Sequence, residues 1–199
     1  MAFSGSACLI AGTDEAGRGP LAGPVVAAAA ILTNDQRSIL IGEGLRDSKK
    51  LTEKSRERLF EIICSCGVVW RAQAASPYRI DRMNILQASL WCMKRSVEKL
   101  PTQPNLVLID GNKYIPGIFI KQKYIVKGDD KVPAIAAASV IAKVLRDRIM
   151  ITLDTLYPRY GFARHKGYPS AKHRAILAEI GPSPVHRMSF RGVESNYIK

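Results

Sequence analysis

The chain has 199 residues, 47% of them hydrophobic, which suits one ordinary folded domain with a small appendage and excludes disordered and fibrous classes. Thirty Lys and Arg against 17 Asp and Glu leave a net charge of +13, which points to a polyanionic partner, nucleic acid first. The longest strictly apolar run, Val25 to Leu32, is too short to span a bilayer, and no Lys or Arg precedes Arg18, so neither a membrane helix nor a secretory leader is expected.

In chain order, Cys8 to Asp14 reads as a short apolar strand. Gly17, Gly19, Pro20, Gly23 and Pro24 then break regular structure, and Val25 to Leu32 reads as a buried strand. Thr52 can cap a helix from Glu53 to about Cys64 with Leu59, Phe60, Ile62 and Ile63 inward. Val68 to Ala74 suits a strand, and Asn84 to Leu100 a helix with Leu86, Leu90, Met93 and Val97 on one face. Leu106 to Ile109 is a solid apolar run, as in a strand covered on both faces, and Tyr124 to Val126 is a further short strand. Pro133 opens a long helix with Ile141, Leu145, Ile149 and Leu153 four apart. Residues 159–199 carry eight Lys and Arg against two acids, with one short helix capped by Ser170 and stopped by Gly181. The pattern describes a mixed α/β core over 1–158 and a basic helical extension over 159–199.

Three acidic positions stand out. Asp14, Asp110 and Asp129 each follow an apolar strand-like segment, and strand ends on a sheet rim open into the crevice where α/β sheets keep their sites. Each alone could cap a turn. Together with Glu15 they would repel one another unless a divalent ion removed the penalty, and oxygen-only donors suit Mg2+ or Mn2+ rather than zinc. Four carboxylates could hold two ions, an arrangement that clamps the attacking and leaving oxygens of a phosphodiester. Adjacent Asp14 and Glu15 point to opposite faces of a regular strand, so both are expected to reach one site only where the strand ends or bulges.

Gly17-Arg18-Gly19-Pro20 follows the acidic pair directly. The run Gly17 to Gly23 is not a dinucleotide fingerprint, because its third glycine comes one residue late. Glycines still let backbone approach a sugar hydroxyl or phosphate closely, and Arg18 adds a fork of donors. Four cysteines, Cys8, Cys64, Cys66 and Cys92, form no Cys-x-x-Cys pair, so neither zinc nor a disulfide framework is indicated, in keeping with a reducing cytoplasm.

At these residues the chain resembles the bacterial ribonuclease HII family. The stretch Asp14-Glu15-Ala16-Gly17-Arg18-Gly19-Pro20-Leu21-Ala22-Gly23-Pro24-Val25 is similar to its N-terminal signature. Further matches follow in order: Asp47-Ser48-Lys49-Lys50-Leu51, Ile80-Asp81 with Asn84-Ile85-Leu86, Ile109-Asp110-Gly111-Asn112, and Lys127-Gly128-Asp129. The remainder are Ala136 to Ser139 with Ala142-Lys143-Val144 and Arg146-Asp147, His165-Lys166-Gly167-Tyr168-Pro169, and His186-Arg187 with Ser189-Phe190. The resemblance implies a ribonuclease H-like fold, a central mixed sheet flanked by helices with a C-terminal helical extension. It implies an endonuclease that uses Mn2+ or Mg2+ to hydrolyse RNA in RNA–DNA hybrids and to incise 5′ to a single ribonucleotide in duplex DNA, leaving a 3′-hydroxyl and a 5′-phosphate. By position, Asp14, Glu15, Asp110 and Asp129 correspond to the catalytic, metal-holding carboxylates, although Asp130 directly follows Asp129. Gly17-Arg18-Gly19 corresponds to the turn that recognises the ribose 2′-hydroxyl, and Tyr168 to a tyrosine that packs on the next sugar. The related type HIII enzymes carry a different glycine turn and an extra N-terminal domain.

Beside this, Arg46, Lys49, Lys50, Arg164 and Lys166 are candidate phosphate contacts. His165, His173 and His186 are expected as polar surface histidines, Asp147 as the intrahelical partner of Lys143, and Ser139 as a helix-packing residue. The chain is expected to act as a cytoplasmic monomer. A competing reading, a non-catalytic basic nucleic-acid binding module, explains the charge but not the acids. A nucleotide-cofactor enzyme would rest on the glycine turn alone.

Overall fold

The computed structural model describes residues 8–45 and 51–193. Five strands form one mixed sheet in the order β3-β2-β1-β4-β5. β1 (Ile10–Ala16) and β3 (Val69–Ala75) run antiparallel to β2 (Val25–Ile31), while β4 (Leu106–Asp110) runs parallel to β1, and β5 (Lys121–Ile125) parallel to β4. One face is covered by α3 (Pro77–Met83) and α4 (Ile85–Glu98), the other by α1 (Asn34–Gly42), α2 (Glu53–Ser65) and the 24-residue α5 (Pro133–Leu156). The mixed sheet flanked by helices is the architecture expected above.

The alanine run of β2 fits its central place. Val25, Ala27, Ala29 and Ile31 pack on the α4 side, and Ala28 and Ala30 on the α5 side. Small side chains on alternate faces let helices seat closely on both. Side-chain caps start α2 at Thr52 and α4 at Asn84, and Pro133 opens the first turn of α5. α1 and α3 add two helices that hydrophobic periodicity does not announce. Each is short and polar, with one buried apolar residue (Leu40, Ile80), and each starts at a side-chain cap, Thr33 with Gln36 for α1 and Ser76 before Pro77 for α3.

Beyond α5 come α6 (Phe162–His165) and α7 (Ala171–Ile180), the latter capped by Ser170 and ended by Gly181. Tyr160, Phe162, Leu177 and Val193 of this C-terminal part pack on Leu21, Ala22 and Met150. Residues after the glycine turn and the C-terminal chain therefore share one small core.

α5 crosses β1 at Gly12, where an added Cβ would stand 2.3 Å from the main-chain carbon of Ala134 and nitrogen of Ile135. Backbone cannot yield as a side chain does, so Gly12→Ala is expected to lose about 1–3 kcal/mol in urea unfolding. Gly42→Ala, where nothing lies within 4 Å, is the control and should be nearly neutral. Equal stabilities for the two variants would contradict the close contact of β1 with α5.

Candidate active site

β1 and β4 run side by side from Ile10↔Leu106 to Thr13↔Ile109, and β4 ends one residue later at Asp110. β1 continues to Ala16, still paired on its other side, Asp14 with Ala28 and Glu15 with Ala27. The acidic pair therefore lies inside a regular strand, not beyond its end, and no bulge turns it. Asp14 falls on the α5 face with Gly12, and Glu15 on the α4 face with Ala11 and Thr13. They share a site because β1 outruns β4. Past Thr13 that edge of β1 is open, and Asp14, Glu15 and Asp110 together line a crevice of about 570 Å³.

Asp14 is 5% exposed. Its carboxylate accepts from the Glu15 N–H at 2.7 Å and from the Ser139 hydroxyl on α5. Burial, then the charges of Glu15 and Asp110, hold the Asp14 carboxyl well above its ordinary range. Glu15 is also pushed up, by burial first, against the pull of the Arg18 guanidinium 3.3 Å away. Burial and like charge together make it costly to keep both acids ionised at this crevice.

Asp110 also accepts from the Gly128 N–H at 2.7 Å, which ties the short 3-10 turn Gly128–Asp130 to the end of β4. Within that turn Asp129 is 2% exposed and Asp130 lies at the surface. Asp129 does not line the crevice that the other three share.

Gly17, Arg18 and Gly19 form one wall of the crevice, and Tyr168 closes it. Gly17 has φ +98°, and an added Cβ would stand 2.0 Å from Nε of Arg146, so this position requires glycine. Tyr168 is 42% exposed, beside Gly19, with Nζ of Lys143 and Cζ of Arg146 each 5.7 Å from its ring centre. Lys143 and Arg56 also line the crevice. Lys143 bonds Asp147 at 2.7 Å, the expected intrahelical pair, and Arg56 stands 4.0 Å from the same carboxylate.

Ser139 bonds the Asp14 carboxylate instead of merely packing a helix. His173 and His186 are buried, not surface groups, because Phe162 and Tyr160 cover them. Lys166 does not line the crevice; its ammonium donates to the Ala163 carbonyl at 2.6 Å and lies 3.5 Å from Glu53. Arg164 is exposed and likewise outside the crevice. Arg46, Lys49 and Lys50 lie outside the described residues. Sequence reading gave no site role to Ser139, Lys143 or Arg56. The first two sit four apart on one face of an otherwise apolar stretch of α5, a polar stripe that could have signalled them.

Among the described residues no three Asp, Glu, His or Cys side chains stand close enough to close on one ion. The chemistry of the donors nonetheless fits a hard divalent cation: all are carboxylate oxygens, and Asp14, Glu15 and Asp110 meet in one crevice.

A family model described as Ribonuclease HII matches residues 11–193. The chain is 49% identical over 189 residues to the Ribonuclease HII of Acaryochloris marina (strain MBIC 11017), covering 95% of this chain and 96% of that protein. The ribonuclease H2 of Pyrococcus horikoshii OT3 superposes with a TM-score of 0.80 at 28% identity, over 93% of this chain and 95% of that one. Bst-RNase HIII, solved in complex with Mn2+, shares the fold at a TM-score of 0.76 and 20% identity, over 94% of this chain and 68% of that one. With a family model matched over residues 11–193, a span that takes in the crevice and the segments that support it, and 49% identity over 95% of the chain, the chain belongs to the ribonuclease HII family.

Proposed function

We propose that this ribonuclease hydrolyses the RNA strand of RNA–DNA hybrids and incises 5′ to a single ribonucleotide in duplex DNA, leaving a 3′-hydroxyl and a 5′-phosphate. Asp14, Glu15, Asp110 and Asp129 would hold Mg2+ or Mn2+. The observation that carries the reading is the meeting of buried, mutually repelling carboxylates with a glycine turn in one crevice of a strongly basic protein. Burial favours Asp129 over the exposed Asp130 as the fourth acid. When bound, the ion supplies a Lewis acid and a water of lowered pKa.

The protein groups would act as follows. Asp14 is aimed by the Ser139 hydroxyl and the Glu15 N–H. Lys143 and Arg56 line the crevice together with the carboxylates and would offer cations to the phosphates. Arg18, half-exposed and paired with Glu15, can exchange that carboxylate for a phosphate. The backbone of Gly17 to Gly19 reads the 2′-hydroxyl, and opposite plain DNA it would lose a partner, which penalises the wrong substrate. Tyr168 offers a ring to the neighbouring sugar. The protein would work as a monomer in the cytoplasm, an environment that suits its four unpaired cysteines.

The test is an end-labelled DNA duplex with one central ribonucleotide, incubated with Mg2+, Mn2+ or EDTA and resolved on a gel. A single nick immediately 5′ to the ribonucleotide, absent with EDTA, is the expected result. Binding of the duplex without metal-dependent nicking would favour the non-catalytic module.

A further inference from the structure

The segment His186 to Phe190 belongs to no helix or strand, and the reaction described above gives it no task. Arg187 in its middle is 0% exposed. Its guanidinium donates to four main-chain carbonyls: Nε to Gly23 at 3.0 Å, Nη1 to Arg18 at 3.0 Å, and Nη2 to Gly17 at 2.6 Å and to Pro24 at 3.1 Å. Arg146 of α5, equally buried, donates from Nε to Pro24 at 3.0 Å and from Nη2 to Ala22 at 3.2 Å. Two guanidinium cations thus meet at one carbonyl, and the bonds that hold Arg187 go to carbonyls rather than to a carboxylate.

Burying two like charges side by side is costly, and apolar residues of similar volume would pack there at lower free energy. Stability alone does not account for the arrangement. A guanidinium can, however, do what an apolar side chain cannot, which is to hold several carbonyls of one loop at fixed angles.

The consequence follows from the planarity of the peptide. In a trans peptide the C=O and the next N–H point in opposite directions. With the carbonyls of Gly17 and Arg18 drawn inward onto Arg187, the N–H groups of Arg18 and Gly19 must face the other way. That way lies the crevice, which Arg18 and Gly19 line together with Asp14, Glu15 and Asp110.

Arg187 is itself held from both sides. Its own N–H donates to the Leu21 carbonyl at 2.8 Å, and His186 makes a bridge with Ala22. On the other side, the Asp81 carboxylate of α3 accepts from the N–H groups of Met188 and Ser189, each at 3.0 Å, and from the Ser189 hydroxyl at 2.6 Å. The Phe190 ring lies 4.9 Å from the guanidinium carbon.

We propose that Arg187 is a positioning residue for substrate specificity: by gripping the carbonyls of Gly17 and Arg18 from inside, it presents the N–H groups of Arg18 and Gly19 as a preformed donor pair for the ribose hydroxyl and its adjoining phosphate. The proposal deepens the function above and rests on its reading of the glycine turn. A lysine keeps the charge but puts all donors on one point, so it cannot span these carbonyls.

The experiment measures binding in EDTA, where nothing is cut, to two duplexes identical except for one central ribonucleotide. Wild-type protein should prefer the ribonucleotide duplex by about threefold to tenfold, the range of one or two hydrogen bonds. Arg187→Lys should bring the preference close to one, while affinity for the all-DNA duplex changes by less than twofold, a split that general loosening of the fold does not produce. Asp81→Asn, which weakens the anchor from the half-buried surface of α3, should lower the preference in the same direction and decides the matter where Arg187→Lys does not fold by circular dichroism. A wild-type protein with no preference would overturn the reading of the turn itself. A wild-type preference that persists in folded Arg187→Lys, or in Asp81→Asn where the lysine variant does not fold, would overturn the role of Arg187.

Discussion

Asp14→Asn is expected to lower cleavage of a single-ribonucleotide duplex by about 10³-fold or more and, in the same protein, to raise stability without metal. The sign follows from the carboxyl's environment. Burial first, then Glu15 and Asp110, raise its folded pKa above the ordinary 3.8. The unfolded chain therefore gives up this proton at lower pH than the native protein does, so native stability is lost as pH rises through the interval between the two values. At neutral pH the native state carries the penalty of a buried, crowded acid. Asparagine keeps the shape and removes that penalty, with an expected gain of about 0.5–2 kcal/mol in EDTA. Saturating Mn2+ should reverse the order, since an ion that binds only the native state at a hundred times its Kd adds about 2.7 kcal/mol. Wild-type protein should show that shift in a thermal melt, and the variant little of it. Wild-type cleavage by Asp14→Asn, or equal Mn2+ shifts in the two proteins, would remove Asp14 from the metal site.

The acids were legible in the sequence because each breaks a local rule. Asp110 ends an apolar strand, and Asp129 comes shortly after the apolar run Tyr124 to Val126, where a carboxylate has no packing reason to be. The means by which Asp14 and Glu15 meet Asp110 was not legible. Strand periodicity puts the pair on opposite faces, and only the difference in length between β1 and β4 lets both reach the same edge. Strand pairing is tertiary information, and neither strand carries it alone. The starts of α2 and α7 could be read from their caps, Thr52 and Ser170, and that of α5 from Pro133, because caps and a first-turn proline are local devices. Arg187 could not, because a lone basic residue near a chain end looks like any other solvated arginine until the glycine turn is folded against it. The histidines were misjudged for a related reason: the aromatic residues that bury them, Tyr160 and Phe162, stand up to 26 positions away from His186.

Those histidines should make the protein sensitive to acid. Ser183 N–H donates to Nδ1 of His186 at 2.9 Å, so the ring proton of His186 is on Nε2, which meets Nε2 of His173 at 3.0 Å. His173 accepts there, and its own proton, on Nδ1, goes to the Tyr168 carbonyl at 2.9 Å. Both rings are thus neutral and the contact between them holds one proton. A second proton on either ring either sets two N–H groups against each other or breaks the bond with Ser183. Burial, then the neighbouring His173, push the His186 pKa from 6.5 down to about 4, and burial lowers His173 too, with His165 stacked on it. For a base with a depressed folded value, the unfolded chain takes up the proton first, so stability falls as pH drops from 6.5 toward 4. At about 1.4 kcal/mol per pKa unit, His186 alone accounts for about 3 kcal/mol across that window. His186→Gln should be less stable than wild type at pH 8, through the lost ring packing and hydrogen bonds, yet lose less on acidification. Urea unfolding of both proteins at pH 8, 7, 6 and 5 isolates the histidine, because Asp14, which acts with the opposite sign, is common to both. A stability difference between the two that stays constant from pH 8 to pH 5 would show that His186 carries its proton in the folded protein as readily as in the unfolded chain.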